Sequence, residues 1–123
     1  MINLTFQQIF DKSASHLLTQ NEKSLSSDKM IAMYKSPKGL YCAIGIFFGD
    51  LYKKRFESKA IFHLNLDEKL FPVEQEHFLR ELQKVHDCNE PKSWKECLNN
   101  LAKKWNLSDL VCQESYSQIL VNS

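Results

Sequence analysis

The chain has 123 residues, 43% of them hydrophobic and 25% charged, which suits one globular domain with a modest core. Sixteen basic residues against fifteen acidic ones give a net charge of +1, so no overall field attracts nucleic acid or an anionic membrane. No apolar run approaches the roughly 18 residues of a membrane-spanning helix, and the first residues lack the pattern of a signal peptide.

The first predicted element is an amphipathic helix. Thr5 is suited to cap it, and Gln8, three residues later, completes a capping-box pattern. The residues of its apolar stripe follow the i, i+3, i+4 spacing and are Phe6, Ile9, Phe10, Ser13, Ala14, Leu17 and Leu18. Polar residues 20–28 then predict a loop. Residues 30–34 are apolar but too few to distinguish an extended segment from one helical turn.

The next signal is a turn followed by the longest apolar run of the chain. Ser36-Pro37-Lys38-Gly39 predicts a type I or type II β-turn with proline at its second position. Residues 40–48 have the length of a buried strand, whereas Ala43 and the position directly after a turn suit a short buried helix. We favour the helix. Residues 50–59 are polar and basic and are expected to be exposed, and residues 60–64 predict a short strand or an irregular apolar segment.

Two further helices are predicted in the second half of the chain. One begins near Pro72 and has on a single face Phe78, Leu79, Leu82, Val85 and His86. The other is expected to begin at Ser93, with Glu96 as its capping-box partner, and to stop at Asn106. Its apolar stripe consists of Trp94, Cys97, Leu98, Leu101, Ala102 and Trp105.

These elements predict a mainly α fold with three amphipathic helices packed around residues 40–48 and at most a minor β-hairpin. Residues 1–123 form a single domain in this interpretation. Its core covers about residues 5–107, and residues 108–123 form a C-terminal extension that contains one short helix.

Four cysteines, Cys42, Cys88, Cys97 and Cys112, form neither a Cys-x-x-Cys pair nor a zinc-binding pattern. We therefore expect reduced thiols and a cytoplasmic protein. Delivery by a specialised secretion system would leave the same pattern.

Cys42 is the sharpest candidate for chemistry. In the first turn of a helix, its pKa would be lowered by the positive end of the helix dipole. His86 followed by Asp87 would then supply a base and its orienting carboxylate, with His16 as an alternative base. The competing interpretation, which we favour, is that Cys42 is a small buried hydrophobic residue and that His86 caps its helix.

Neither a cofactor nor a metal is predicted. His16, His86, Asp87 and Asp50 are conceivable metal ligands, but their spacing does not require a site. Lys53, Lys54 and Arg55, flanked by Tyr52 and Phe56, form the candidate binding surface for phosphates or an acidic partner. A solvated loop explains these three charges equally well.

Several motifs resemble those of a group of small uncharacterised proteins encoded by bacteriophage and bacterial genomes. They are His16-Leu17-Leu18-Thr19-Gln20, then Gly39-Leu40-Tyr41-Cys42-Ala43-Ile44-Gly45, then Leu82-Gln83-Lys84-Val85-His86-Asp87 followed by Trp94. The likeness covers about residues 5–107, and Phe47-Phe48-Gly49 departs from it where a Pro-Asp turn is expected. The group has no established activity, so the resemblance implies a context and no mechanism.

Two functions are compatible with these observations. The first, which we favour, is a small interaction or inhibitory module that binds another protein and is phage-derived or directed at a host. The second is a minimal cysteine-dependent enzyme, a hydrolase or transferase that uses Cys42 with His86 and Asp87.

Overall fold

The computed structural model describes residues 1–113, and α-helices account for most of its regular structure. The helices are α1 (Phe6–Gln20), α2 (Ile61–Glu68), α3 (Glu76–Cys88) and α4 (Pro91–Lys104). Short 3-10 turns occur at Gly45–Phe47, Gly49–Leu51, Lys54–Ser58, Val73–Gln75 and Leu110–Cys112. Over residues 1–113 no sheet forms, and the strand-like pairing consists of two isolated antiparallel bridges, Leu25–Ala32 and Lys35–Tyr41. The predicted mainly α fold is confirmed.

α1 begins and ends where the sequence predicts. The Thr5 hydroxyl accepts the Gln8 backbone N–H at 3.1 Å, and the Gln8 side chain accepts the Thr5 N–H at 2.8 Å. These reciprocal bonds satisfy two N–H groups that lack partners within the helix. The helix stops at Gln20 because Asn21 adopts a left-handed conformation, with φ of 50°.

The core lies where α1, α3 and α4 pack against one another, and α2 packs on α3. Its fully buried side chains include Phe10, Leu17, Phe78, Leu79, Leu82, Trp94 and Leu98. The predicted apolar face of α3, including His86, is buried throughout. The three helices that pack together, α1, α3 and α4, are those predicted from the spacing of apolar residues in the sequence.

The prediction for residues 60–64 is wrong, because Ala60 is the N-cap residue of α2 and the others lie in its first turn. Ile61, Leu64 and Asn65 are buried and follow the helical spacing i, i+3, i+4. Asn65 also holds the chain after the helix, since its side chain accepts the Phe71 N–H at 2.8 Å and donates to the Phe71 carbonyl at 3.0 Å. A polar residue on the buried face therefore hid the helical period.

Residues 40–48 do not form the helix that we favoured. Tyr41 pairs with Lys35 in a bridge, a turn follows, and a single 3-10 turn spans Gly45–Phe47. The preceding β-turn is present as predicted, with the Gly39 N–H donating to the Ser36 carbonyl at 2.9 Å and Gly39 at φ of 85°. Residues 30–34, left open by the sequence, are extended at Ala32, which pairs with Leu25.

α4 starts earlier than predicted, so Ser93 is not its N-cap. Pro91 occupies the first helical position and Glu90 is the extended N-cap residue, which places Ser93 inside the first turn. Proline fits there because its fixed φ is helical and its missing N–H would have no intrahelical partner. The predicted stop is confirmed, since Asn106 has a φ of 55°.

The C-terminal segment begins with the 3-10 turn Leu110–Cys112, which packs against α1 and α4. Residues 114–123, which include part of the predicted terminal helix, lie outside the described residues. None of the helices that the structure describes has the length and apolar character needed to span a membrane.

Candidate functional site

Polar side chains from α1 hold the segment that contains Cys42. The Ser13 hydroxyl donates to the Ala43 carbonyl at 2.8 Å. His16 Nε2 lies 3.0 Å from the Tyr41 carbonyl oxygen, and the Gln20 amide donates to the same oxygen at 2.9 Å. Since these bonds occupy the carbonyls, the segment is fixed as an irregular strip along α1 and not as a helix.

Cys42 is fully buried and is unsuited to act as a nucleophile. It precedes a single 3-10 turn instead of starting a helix, and its Sγ accepts the Gly45 N–H at 3.3 Å. Burial raises the pKa of the Cys42 thiol to about 12, since desolvation penalises the thiolate more than nearby N–H groups favour it. The lowered pKa that the enzyme interpretation requires is therefore absent, and the burial of Cys42 agrees with the favoured interpretation of a packing residue.

His86 and Asp87 do lie together, but their hydrogen bonds serve structure. His86 Nδ1 is 2.7 Å from the Asp87 carboxylate, and its Nε2 accepts the Ser24 backbone N–H at 2.9 Å. This pattern fixes the neutral tautomer with the proton on Nδ1. The imidazole is fully buried and stacks on Trp94 with ring centroids 5.5 Å apart. Both nitrogens are thus occupied, and none of the described hydrogen bonds joins His86 to Cys42.

His16, the alternative base, also has a hydrogen-bond partner within the fold. Its Nε2 must carry the proton that it donates to the Tyr41 carbonyl. Burial lowers the pKa of His16; the bond to Tyr41 opposes this shift, and the nearby His86 reinforces it. Among residues 1–113, no group of three or more histidine, cysteine, aspartate or glutamate side chains is arranged to hold a metal ion.

All three charged residues of the basic stretch at residues 53–55 are exposed, but one of them is paired within the fold. Arg55 pairs with Glu68 at 2.7 Å, and its guanidinium lies 5.7 Å from the centre of the Phe56 ring. Lys53 and Lys54 are exposed. Among the described residues, Lys53 and Lys54 have no ion pair, whereas Arg55 has one. The binding of a partner by this stretch stays a prediction.

Glu57, which follows this stretch, has a structural role that its sequence position does not reveal. One carboxylate oxygen accepts the Tyr34 N–H at 2.8 Å; the other accepts the Lys35 N–H at 3.0 Å and the Tyr52 hydroxyl at 2.6 Å. These bonds attach the segment before the β-turn to the 3-10 turn Lys54–Ser58. The residues surrounding the basic stretch are therefore occupied by bonds within the fold.

A cleft of about 410 Å³ opens between the loop after α1 and the β-turn. It is lined by Glu22, Lys23, Leu25, Ser26, Ser27, Lys29, Ser36, Pro37, Lys38 and Leu40. Three of these residues are lysines and one is acidic. Leu25, Pro37 and Leu40 supply apolar surface in the same cleft, so it combines positive charge with apolar contact area. We call it the lysine cleft.

One wall of the lysine cleft is a hairpin-like loop that is held by its own hydrogen bonds. The Ser26 N–H donates to the Ile31 carbonyl at 2.8 Å, and the Lys29 N–H donates to the Ser26 carbonyl at 2.8 Å. The Asp28 carboxylate accepts from the Ser26 hydroxyl and the Met30 N–H, and both bonds lower its pKa. At the tip, Met30 and Ile31 are 80% and 62% exposed. Two large apolar side chains thus project from an ordered loop.

Sequence patterns did not reveal the lysine cleft or the hydrogen bonds that shape it. One signal for these hydrogen bonds was present in the sequence. Polar groups on or beside an apolar stripe require buried partners, and such groups occur at Ser13, His16 and Ser24. Ser24 is fully buried, and its hydroxyl donates to the Leu40 carbonyl at 3.0 Å. The lysines of the cleft come from two loops, so their proximity depends on the fold.

Comparisons with protein-family models, with curated protein sequences and with solved structures gave no match to this chain.

Proposed function

We propose that this chain is a small protein-binding module, and that the lysine cleft takes an acidic segment carrying an apolar side chain from the partner protein. The observation that carries the proposal is the combination of Lys29 and Lys38 with apolar lining in one cleft. Lys23 also lines it, but its ammonium donates to the Asp87 carbonyl at 3.3 Å. Glu22 offsets only part of this charge, through a pair with Lys38 at 3.5 Å in which both side chains are highly exposed.

The energetics of the lysine cleft suit moderate, salt-sensitive binding. Each exposed ion pair contributes only about 0–1 kcal/mol, so apolar contact with Leu25, Pro37 and Leu40 has to supply much of the affinity. Charge accelerates the encounter and selects against basic partners. At a salt concentration of about 0.15 M, the attraction between exposed charges is screened over roughly 8 Å, and added salt weakens this attraction further.

The loop beside the lysine cleft supports the same proposal. Met30 and Ile31 expose apolar surface on a loop that is already ordered, so a partner would not have to fix its backbone. Methionine is enriched at protein interfaces because its side chain adapts to varied surfaces. With the resemblance to small phage-encoded and bacterial proteins, this extends the proposal to an inhibitory module directed at a host protein.

Two observations argue against the cysteine-enzyme alternative. A nucleophilic thiolate at Cys42 would have to form in a fully buried site against a pKa of about 12, without a free imidazole nitrogen on His86. The four cysteines are unpaired thiols, which supports our inference of a reducing, cytoplasm-type compartment.

The test uses defined peptides and two charge-reversal variants. We would titrate isotope-labelled protein with short peptides in which acidic residues flank a leucine or phenylalanine. Comparison peptides carry basic flanks, or acidic flanks without the apolar residue. Chemical-shift changes confined to residues 22–40 with the first peptides, weakened by added salt, are the expected result.

The variant Lys29→Glu/Lys38→Glu should abolish this binding. The variant Lys53→Glu/Lys54→Glu changes the net charge by the same amount on exposed lysines outside the cleft and should retain it. Equal loss in both variants would indicate a non-specific charge effect and contradict the proposed cleft. Shifts around residues 53–54 alone would assign binding to the basic stretch instead.

A further inference from the structure

A second groove, of about 380 Å³, lies between α3 and α4 and contains two cysteines. Cys88 is exposed at the end of α3, and Cys97 is half-buried on α4. Both line the groove together with Glu81, Lys84, Val85, Asn89, Asn100, Leu101 and Lys104. Neither thiol has a role in the proposed lysine cleft, which lies on other elements.

The register of the two helices places the two cysteines at the same level along this groove. Glu81 on α3 pairs with Lys104 on α4, and its carboxylate also accepts the Trp105 indole N–H at 2.6 Å. Cys88 lies seven residues after Glu81, and Cys97 seven residues before Lys104. A step of seven residues is about two helical turns and returns to the same face. α3 and α4 run antiparallel. Moving seven residues forward from Glu81 on α3 and seven residues back from Lys104 on α4 therefore leads in the same direction along the groove, from the ion pair to the two cysteines.

The other two cysteines differ from this pair in their burial. Cys42 and Cys112 are buried, and desolvation raises the pKa of their thiols to about 12 and about 11. Thiol oxidation needs access and thiolate character, so these two residues are protected. The fold therefore divides four cysteines into a protected pair in the core and an accessible pair in one groove.

We propose that Cys88 and Cys97 form a dithiol site that hydrogen peroxide oxidises to an intramolecular disulfide and that a dithiol reductant restores. The more exposed Cys88 thiolate attacks a peroxide oxygen, the O–O bond breaks, and the departing hydroxide is protonated to water. The Cys97 thiolate then attacks the sulfur of the Cys88 sulfenic acid. The S–S bond forms, the S–O bond breaks, and the departing hydroxide takes up a proton and leaves as a second water. Two thiols lose two electrons in total, and one peroxide gains them.

The disulfide would link the carboxyl end of α3 to the middle of α4. It would close the turn at residues 89–90 into a small covalent loop. The same end of α3 bears His86, whose Nε2 holds the Ser24 backbone at the start of the loop beside the lysine cleft. Oxidation would therefore stiffen the helix end to which that loop is attached.

The experiment treats the folded full-length chain with stoichiometric hydrogen peroxide, then unfolds it and alkylates the remaining thiols with iodoacetamide. The expected product is a monomer with two alkylated thiols and a Cys88–Cys97 linkage in the peptide map, and dithiothreitol should return four alkylated thiols. The variants Cys88→Ser and Cys97→Ser should each fail to form an intramolecular linkage while remaining folded. Alkylation of the untreated folded protein should modify Cys88 and Cys97 well before Cys42 and Cys112.

Several outcomes would overturn the proposal. Four alkylated thiols after peroxide treatment would show that the pair does not react. Dimers linked through Cys88, or a sulfinic acid at Cys88 with Cys97 unmodified, would show that Cys97 cannot reach it. A linkage that includes Cys42 or Cys112 would contradict the division into protected and accessible thiols.

Discussion

At the scale of single residues, Gly45 shows how closely the segment around Cys42 packs. A Cβ atom built on Gly45 would lie 1.9 Å from the Tyr34 carbonyl oxygen and 2.7 Å from its carbon. Those are backbone atoms, and the Tyr34 carbonyl also accepts the Cys42 N–H at 3.2 Å. Glycine is thus required at this position by close approach of two chain segments and not by an unusual φ.

Gly45→Ala should destabilise the protein by at least the ~1–3 kcal/mol typical of overpacking, because the obstructing atoms belong to the backbone. Urea unfolding monitored by circular dichroism measures the change. Gly49→Asn is the matched control, since Gly49 has open space around its Cα and a φ of 51° that asparagine tolerates. If the two variants unfold at the same urea concentration, the close approach is not present.

His16 gives a pH dependence with a defined sign. Burial lowers the pKa of folded His16 below 6.5, so the unfolded chain binds the proton first as the pH decreases. The contribution of His16 to stability is therefore complete above about pH 6.5 and is lost as the pH falls through the folded pKa.

The variant His16→Gln should lose less stability than the parent between about pH 7.5 and about pH 5.5, because glutamine does not titrate there. Its amide retains an N–H donor for the Tyr41 carbonyl, which preserves the bond seen in the structure. Urea midpoints at the two pH values provide the test. An identical decline in both proteins would assign the pH dependence to other groups.

At the scale of elements, the same capping-box pattern predicts one helix start correctly and another incorrectly. Thr5-x-x-Gln8 and Ser93-x-x-Glu96 are equivalent capping-box patterns, yet only the first forms. Pro91 starts α4 two residues before Ser93, so the Ser93 side chain does not meet free N–H groups as an N-cap would. At the other end of α4, the Leu107 N–H donates to the Ala102 carbonyl at 2.8 Å, as left-handed Asn106 requires.

Thr5→Ala should cost about 0.5–2 kcal/mol, as the loss of an N-cap does. Ser93→Ala should change stability by no more than about 0.5 kcal/mol, because Ser93 caps nothing. The free energy of unfolding of the two variants, measured side by side in urea, tests the assignment. A larger loss at Ser93 than at Thr5 would mean that α4 starts at Ser93 after all.

At the scale of the whole molecule, stability depends on the core between α1, α3 and α4. Leu98 is fully buried in it, as the periodicity of α4 predicts. By contrast, Leu66 on α2 is 71% exposed, although it is also a leucine in a helix. The two positions therefore form a natural comparison for the contribution of burial.

Leu98→Ala should destabilise the fold by about 2–5 kcal/mol, through lost burial and the cavity left behind. Leu66→Ala should alter stability by about 0.5 kcal/mol or less, since its side chain already faces water. Chemical denaturation with a single cooperative transition gives both values. A midpoint of Leu98→Ala equal to that of the parent would refute this packing.

The sequence by itself determined that α1, α3 and α4 exist, because a repeating apolar stripe acts within a few residues. It did not determine where two of them start, since α3 begins at Glu76 and not near Pro72, and α4 begins at Pro91 and not at Ser93. It also predicted the β-turn at residues 36–39 and the left-handed stop at Asn106. α2 escaped prediction because Asn65 interrupts its apolar face with a group whose partners lie outside the helix.

Only the tertiary structure decided the conformation around Cys42 and the character of the candidate sites. Ser13 reaches a carbonyl 30 residues away, and His86 reaches a backbone N–H 62 residues away, so neither bond leaves a trace in local periodicity. The same holds for the lysine cleft and the cysteine groove, whose charged or reactive groups come from separate elements. Local spacing specifies which residues can form a helix, whereas the protonation and reactivity of a side chain depend on burial and on partners that the folded chain brings together.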